Sequence, residues 1–354
     1  MPPLFFSGAG FGIMGALLLN LQSVPMNRIV LLVCTGLLAL GLVACSDKDA
    51  SQPASQAAIE RQSSDPATAV EAMAAKLHDN QLLEAVQLAV PPAKLDELRA
   101  EWTQKMASEA PSEEERADYV AQMAKFTAPD AEAVLYAELE PQLVKFETEM
   151  AAQMPMMIGM GQGFVMQSIQ ASADLDETQK KEATDVVAAI ASWLQAVKLT
   201  DRELAKKSIA IAVKTARDLD LPTLDQVRAL DFDQTMGKAS VVFGAVKDVL
   251  ALYGMDINQS LAGTKASVVS QADGQAKVAV AYSLFGKPLT TQTEMVEVDG
   301  RWYAKDTVEK LVAGLSGADD DAVAPASDAD ASAHAQHLQD AADAAAEEEV
   351  APQQ

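Results

Sequence analysis

The chain predicts an α+β fold: a helix-rich region of about seven to nine helices, then a four-stranded antiparallel meander packed on helices. Apolar residues recur every three to four positions from Asp65 to about Tyr253, which is the helical period. After Gly254 the repeat shortens to two, the period of a half-buried strand. Asp273-Gly274 and Asp299-Gly300 separate the alternating runs, and Asp-Gly supplies the positive φ angles of a two-residue hairpin turn.

Asp65-Pro66 provides a cap and a first-turn proline, and Val70, Met73, Ala74 and Leu77 then share one helical face. Pro91-Pro92 opens a helix carrying Leu95, Leu98 and Trp102. Ser112 and Glu115 have capping-box spacing and start another, through Tyr119, Met123 and Phe126. Pro129 begins a further helix along Val134, Leu135, Leu139, Leu143 and Phe146. Residues 176–198 carry a broad stripe of Val186, Val187, Ile190, Trp193, Leu194 and Val197. Thr200 with Glu203 repeats the capping-box spacing, and the next helix turns Ile209, Val213 and Ala216 inward. So short a connection predicts an antiparallel helical hairpin. Residues 224–230 and 232–253 complete the helices ahead of the sheet.

Strands are predicted at 264–271, 275–285, 288–298 and 301–305, with the middle turn at Gly286-Lys287 and a short helix over 306–315. Val278, Val280, Tyr282 and Leu284 share one face, and Met295, Val296 and Val298 keep an apolar side on the third strand. A meander of this size is stable only with its apolar face covered, and the preceding helices are the available cover.

The run Met295-Val296-Glu297-Val298-Asp299-Gly300-Arg301-Trp302-Tyr303 resembles the last hairpin of cystatin-like or NTF2-like lipoprotein domains. There an acidic-Gly turn is followed by a basic residue and Trp-Tyr. Residues 69–93, a helix leading into Pro91-Pro92, are similar to the opening helices of those domains. The resemblance implies a cavity between sheet and helices, with Tyr282, Trp302 and Tyr303 near its wall.

Near the amino terminus, Met26-Asn27-Arg28 precedes an apolar run over 29–43 and a polar Ser46-Asp47. A short positive start, about 15 apolar residues and small residues at the break predict a secretory signal, not a spanning helix. Leu42-Val43-Ala44-Cys45 resembles the lipobox of bacterial lipoproteins. That resemblance implies cleavage between Ala44 and Cys45, a diacylglyceryl thioether on Cys45 and acylation of the new amino terminus. Ser46 resembles the residue choice that directs lipoproteins to the outer membrane, here on its periplasmic face. Residues 1–25 read as an extension upstream of a start at Met26; a second membrane segment over 3–21 lacks flanking positive charge.

The predicted organisation is therefore a signal over 1–44, a lipidated cysteine and polar tether over 45–64, a folded region over 65–316 and an acidic tail over 317–354. The tether holds the folded part some ~20–25 Å from the membrane. The tail has ten acidic residues and no lysine or arginine, too little apolar area to offset its ordering entropy. Net charge is −24, and loss of Arg28 with the signal makes it −25. Such a surface repels nucleic acid and anionic headgroups, so membrane attachment falls to the acyl chains on Cys45. Cys34 and Cys45 are the sole cysteines; removal of the first leaves one sulfur, which excludes an intrachain disulfide and a thiolate metal cage.

Little in the chain points to catalysis. His78 ends a helix, His334 and His337 lie in the tail, and no zinc signature or Gly-x-Ser-x-Gly elbow exists. Gly159-Met160-Gly161-Gln162-Gly163 is not preceded by a strand and lacks the spacing of a dinucleotide loop. Asp231 and Asp233 read as cap and dipole partners. Met150, Met154, Met156, Met157, Met160 and Met166 crowd into 17 residues broken by Pro155 and three glycines. They read as an irregular helix break with adaptable packing, as a surface for a partner or apolar ligand, or as soft Cu(I) ligands. No cofactor or resident metal is expected. The leading expectation is a periplasm-facing lipoprotein acting without catalysis as a binding or assembly component of the envelope, with an envelope protein as partner. The alternatives are a small-molecule binder using the cavity and a Met-rich copper binder.

Overall fold

The computed structural model describes residues 65–315 apart from Glu109 and Asp174. The signal, the lipobox with Cys45, the tether and the acidic tail lie outside the described residues. The described residues up to Val308 belong to one compact unit and residues 309–315 to a second.

Among the described residues, eleven helices precede a four-stranded antiparallel sheet and a twelfth follows it, an α+β architecture. The helices are α1 (Pro66–His78), α2 (Leu82–Ala89), α3 (Pro92–Ser108), α4 (Glu113–Thr127), α5 (Ala131–Glu149) and α6 (Met154–Ala171). They continue with α7 (Glu177–Ala196), α8 (Arg202–Leu219), α9 (Leu224–Arg228), α10 (Phe232–Leu252) and α11 (Ile257–Ala262). The strands are β1 (Lys265–Ala272), β2 (Gln275–Leu284), β3 (Lys287–Val298) and β4 (Arg301–Ala304), and α12 (Lys305–Leu315) comes last. The expected seven to nine helices fall short by α2, α6 and α11. The first and last are too short to display a period, and α6 is masked by its proline and glycines.

Local chemistry sets most helix starts. The Asp65 carboxylate accepts from the Thr68 amide, and full capping boxes join Ser112 with Glu115, Asp176 with Gln179, Thr223 with Gln226 and Asp231 with Gln234. Two expected starts move. α5 begins after Asp130, not at Pro129, and α8 is capped by Asp201, whose carboxylate accepts from the Glu203 and Leu204 amides, not by Thr200. A carboxylate one residue nearer the helix out-competes the hydroxyl for the same amides.

The expected α7–α8 hairpin is not how these helices pack. α8 lies along α4, α5 and α10, where Ala131, Ile209 and Val213 form a core with Phe126, Leu135, Tyr136 and Leu139. The Arg202 guanidinium fixes α8 to α5 by donating to both Glu147 oxygens at 2.6 and 2.8 Å, which holds that carboxyl down at about 2. α7 lies between α6 and β3 instead. Its stripe is divided between these two neighbours, so Ala189 and Ala191 are buried while Ile190 is exposed. A short connection brings helix ends together but does not oblige their apolar faces to meet.

The strand order is β1-β2-β3-β4. On β2, Ala276, Val278, Val280, Tyr282 and Leu284 are all buried on one face, beneath α1 and α11. Leu289 and Met295 of β3 and Trp302 of β4 share that face by register. Val296 and Val298 project to the other face, so the third strand's expected apolar side is split. Helix carboxylates close the outer edges: Glu71 of α1 accepts the Ala266 amide at 3.0 Å, and Glu182 of α7 accepts the Gln292 amide at 3.1 Å.

All three turns have positive φ at both central residues: Asp273-Gly274, Phe285-Gly286 and Asp299-Gly300. The middle turn is therefore one residue earlier than Gly286-Lys287, because Leu284 pairs with Lys287. Phe285, at φ 52°, stands where asparagine or glycine is usual, and its ring stacks on Trp193 of α7 with centroids 5.3 Å apart. The stack, worth about 0.5–1.5 kcal/mol, offsets the left-handed backbone. Phe285→Asn is accordingly expected to change stability little in the native chain and to stabilise a Trp193→Leu variant by about 1 kcal/mol, as read by a double-mutant cycle of thermal unfolding.

Candidate functional site

The methionine-rich segment includes a break, a turn over 150–153 between α5 and α6, but from Met154 through Pro155 and the three glycines it is one uninterrupted helix. Pro155 occupies the first turn of α6, where its missing N–H is no loss. The glycines cost helix propensity but clash with nothing: a Cβ added at Gly159, Gly161 or Gly163 meets no atom within 4 Å.

At about 100° per residue, helical geometry separates the methionines into two groups. Met154, Ile158, Val165, Met166 and Ile169 are half-buried on the side packed on α7. Met156, Met157, Met160 and Phe164 occupy an arc of about 100° on the opposite side and are 64%, 37%, 68% and 55% exposed. Of the expected surface residues, then, Met154 and Met166 belong to packing, while Phe164, which sequence reasoning overlooked, joins the exposed group. Met154 also stands away from Met156 and Met160, so the methionines considered for Cu(I) do not share one face. Residues 154–171 contain no charged side chain. α6 is thus uncharged all round, with Gln162, Gln167, Ser168 and Gln170 as its polar side chains, and its exposed methionines and Phe164 are of a kind normally found under cover. No helix among the described residues is long and apolar enough to cross a membrane.

The expected aromatic cluster is divided too. Tyr282 and Trp302 share the covered face of the sheet, whereas Tyr303 alternates to the other one. All three are buried, and burial pushes the hydroxyls of Tyr282 and Tyr303 above the usual phenolic range. They act as core side chains on two faces, not as a shared wall.

A third constellation, which the sequence did not signal, centres on Lys247 of α10. It is 2% exposed. Its Nζ donates to the carbonyls of Leu77 and His78, both at 2.8 Å, and to Oδ1 of Asn258. Those carbonyls end α1, where the helix itself offers no donor. Burial lowers the ammonium to about 8 despite the carboxylates of Asp248, Asp79 and Asp256. Asn80 turns the chain here at φ 58°, against Gly244, where a Cβ would fall 2.9 Å from its amide nitrogen. His78 bonds Asp79 at the surface, 2.8 Å away, and Asp233 pairs with Arg99. Among the described residues, no group of three or more histidine, cysteine, aspartate or glutamate side chains is arranged to hold a metal ion.

No family model, no curated protein and no solved structure matches the chain.

Proposed function

We propose that the chain is a lipid-anchored protein of the bacterial envelope, held on the periplasmic face of the outer membrane through Cys45 and acting there as a non-catalytic binding or assembly component. The observation that carries this reading is Leu42-Val43-Ala44-Cys45 closing an apolar run that begins directly after Arg28. The uncovered arc of α6 supports the binding role, because an uncharged apolar surface of this kind marks an interaction site more often than a free one.

The test is intact mass of the protein extracted from membranes with detergent. A chain beginning at Cys45 and carrying a diacylglyceryl thioether and an amide-linked acyl group is the expected product. Cys45→Ala is expected to remain uncleaved and to lack both. A wild-type chain found with its leader intact and a bare sulfur ends the proposal.

A further inference from the structure

We propose that the exposed arc of α6 rests on a lipid surface of zwitterionic headgroups, giving the protein a second, non-covalent membrane contact beside its acyl anchor. The inference rests on the anchoring reading above and adds a face and an orientation to it.

Chemistry and reach both favour lipid as the occupant. Met156, Met157, Met160 and Phe164 are exposed together, and the rest of that side consists of glycine, alanine, serine and glutamine. Methionine serves protein interfaces too, but a specific partner is held mainly by several aromatic or arginine anchors within a polar rim, and this arc offers one aromatic ring and no charge. A bilayer interface takes up apolar side chains at the acyl boundary, and the flexible thioethers of a glycine-rich helix adapt to such a surface. The anchor keeps such a surface close by. Nineteen residues separate Cys45 from Asp65, which at full extension reach at most about 70 Å. Charge narrows the occupant further. Glu147, Glu149 and Glu177 beside α6 are paired with Arg202, Lys145 and Lys180, but the chain as a whole carries −24, so a second copy and an anionic bilayer are both repelled. An uncharged helix in an acidic body fits a headgroup layer of no net charge.

The lipidated full-length protein is reconstituted in phosphatidylcholine vesicles with a nitroxide at position 160, introduced as Met160→Cys. Lys214→Cys, at an exposed position of α8, carries the control label. Position 160 is expected to favour collision with oxygen over a water-soluble nickel chelate, with the reverse at 214. Replacing part of the lipid by phosphatidylglycerol is expected to lower the oxygen preference at 160. In unlipidated protein that carries Cys45→Ser as its first residue and so lacks the apolar leader, the triple change Met156→Gln, Met160→Gln and Phe164→Gln is expected to reduce partition into phosphatidylcholine vesicles at least about tenfold. Its melting temperature should be unchanged, because the side chains are exposed. An acylated protein whose label at 160 is as water-accessible as at 214 overturns the α6 contact and leaves the anchor standing. A mass spectrum without acyl groups on Cys45 overturns the anchor and this inference with it. Protection of 160 in native membranes but not in protein-free vesicles also overturns it, in favour of a protein partner.

Discussion

Lys247→Met is expected to destabilise the protein by about 2–4 kcal/mol, although it removes a charge from the interior. The aliphatic stem is retained in shape. The loss comes from the His78 carbonyl and the Asn258 side chain, which lose their donor at the junction of α1, α10 and α11, and from the Leu77 carbonyl, which keeps only the longer bond from the Asn80 amide at 3.3 Å. Each buried acceptor left alone costs about 1–3 kcal/mol, and relief of the ammonium's desolvation returns part of the total. The pH dependence distinguishes this account from simple loss of packing. The folded-state value is depressed to about 8 from 10.5, so between these values the unfolded chain holds the proton more often. Stability contributed by Lys247 therefore rises with pH across that window. The gap between wild type and Lys247→Met is expected to widen from pH 8 to pH 10 in urea unfolding followed by circular dichroism. A gap that narrows would contradict the assigned burial.

Trp102→Ala should cost about 3–5 kcal/mol, the usual range for an aromatic removed from a packed interior. Trp102 on α3 is 5% exposed, meets the Phe232 ring edge-on at 6.2 Å and donates its indole N–H to the Leu230 carbonyl at 3.3 Å. It joins α3 to the start of α10, where Arg99 also donates to both oxygens of Asp233 at 2.9 and 3.0 Å. That ion pair is partly solvated, so Arg99→Gln is expected to cost at most about 1 kcal/mol. Trp102→Phe, which keeps a ring and loses the hydrogen bond, should fall between the two, at about 1–2 kcal/mol. Denaturant midpoints read by far-ultraviolet circular dichroism check the order. Equal losses for Trp102→Ala and Arg99→Gln would show that the junction is held by charge, not by packing.

Reading the chain succeeded where the determinant lies within a few residues. Ser112 with Glu115 and Asp231 at the start of α10 cap as their spacing implies, and the two Asp-Gly pairs are the outer hairpin turns. The face formed by Val278, Val280, Tyr282 and Leu284 follows from strand period alone. Misreadings arose where a near neighbour competed, as Asp201 does with Thr200, or where a distant group changed the balance. Phe285 accepts a left-handed backbone because Trp193, far away in sequence, provides a stacking surface. The candidate site was half legible. A dense group of methionines was visible, but whether it was core or surface was not.

By itself, then, the sequence determined the α+β class, the order of helices before strands and most of the caps and turns. These depend on period and on hydrogen bonds reaching three or four residues, which a one-dimensional pattern contains. Tertiary structure decided that α7 joins α6 and β3 and not α8, that Lys247 closes the end of α1, and that Met156, Met160 and Phe164 remain outside while Met154 and Met166 pack. Burial is a property of what lies opposite a side chain, and elements far apart along the chain supply it.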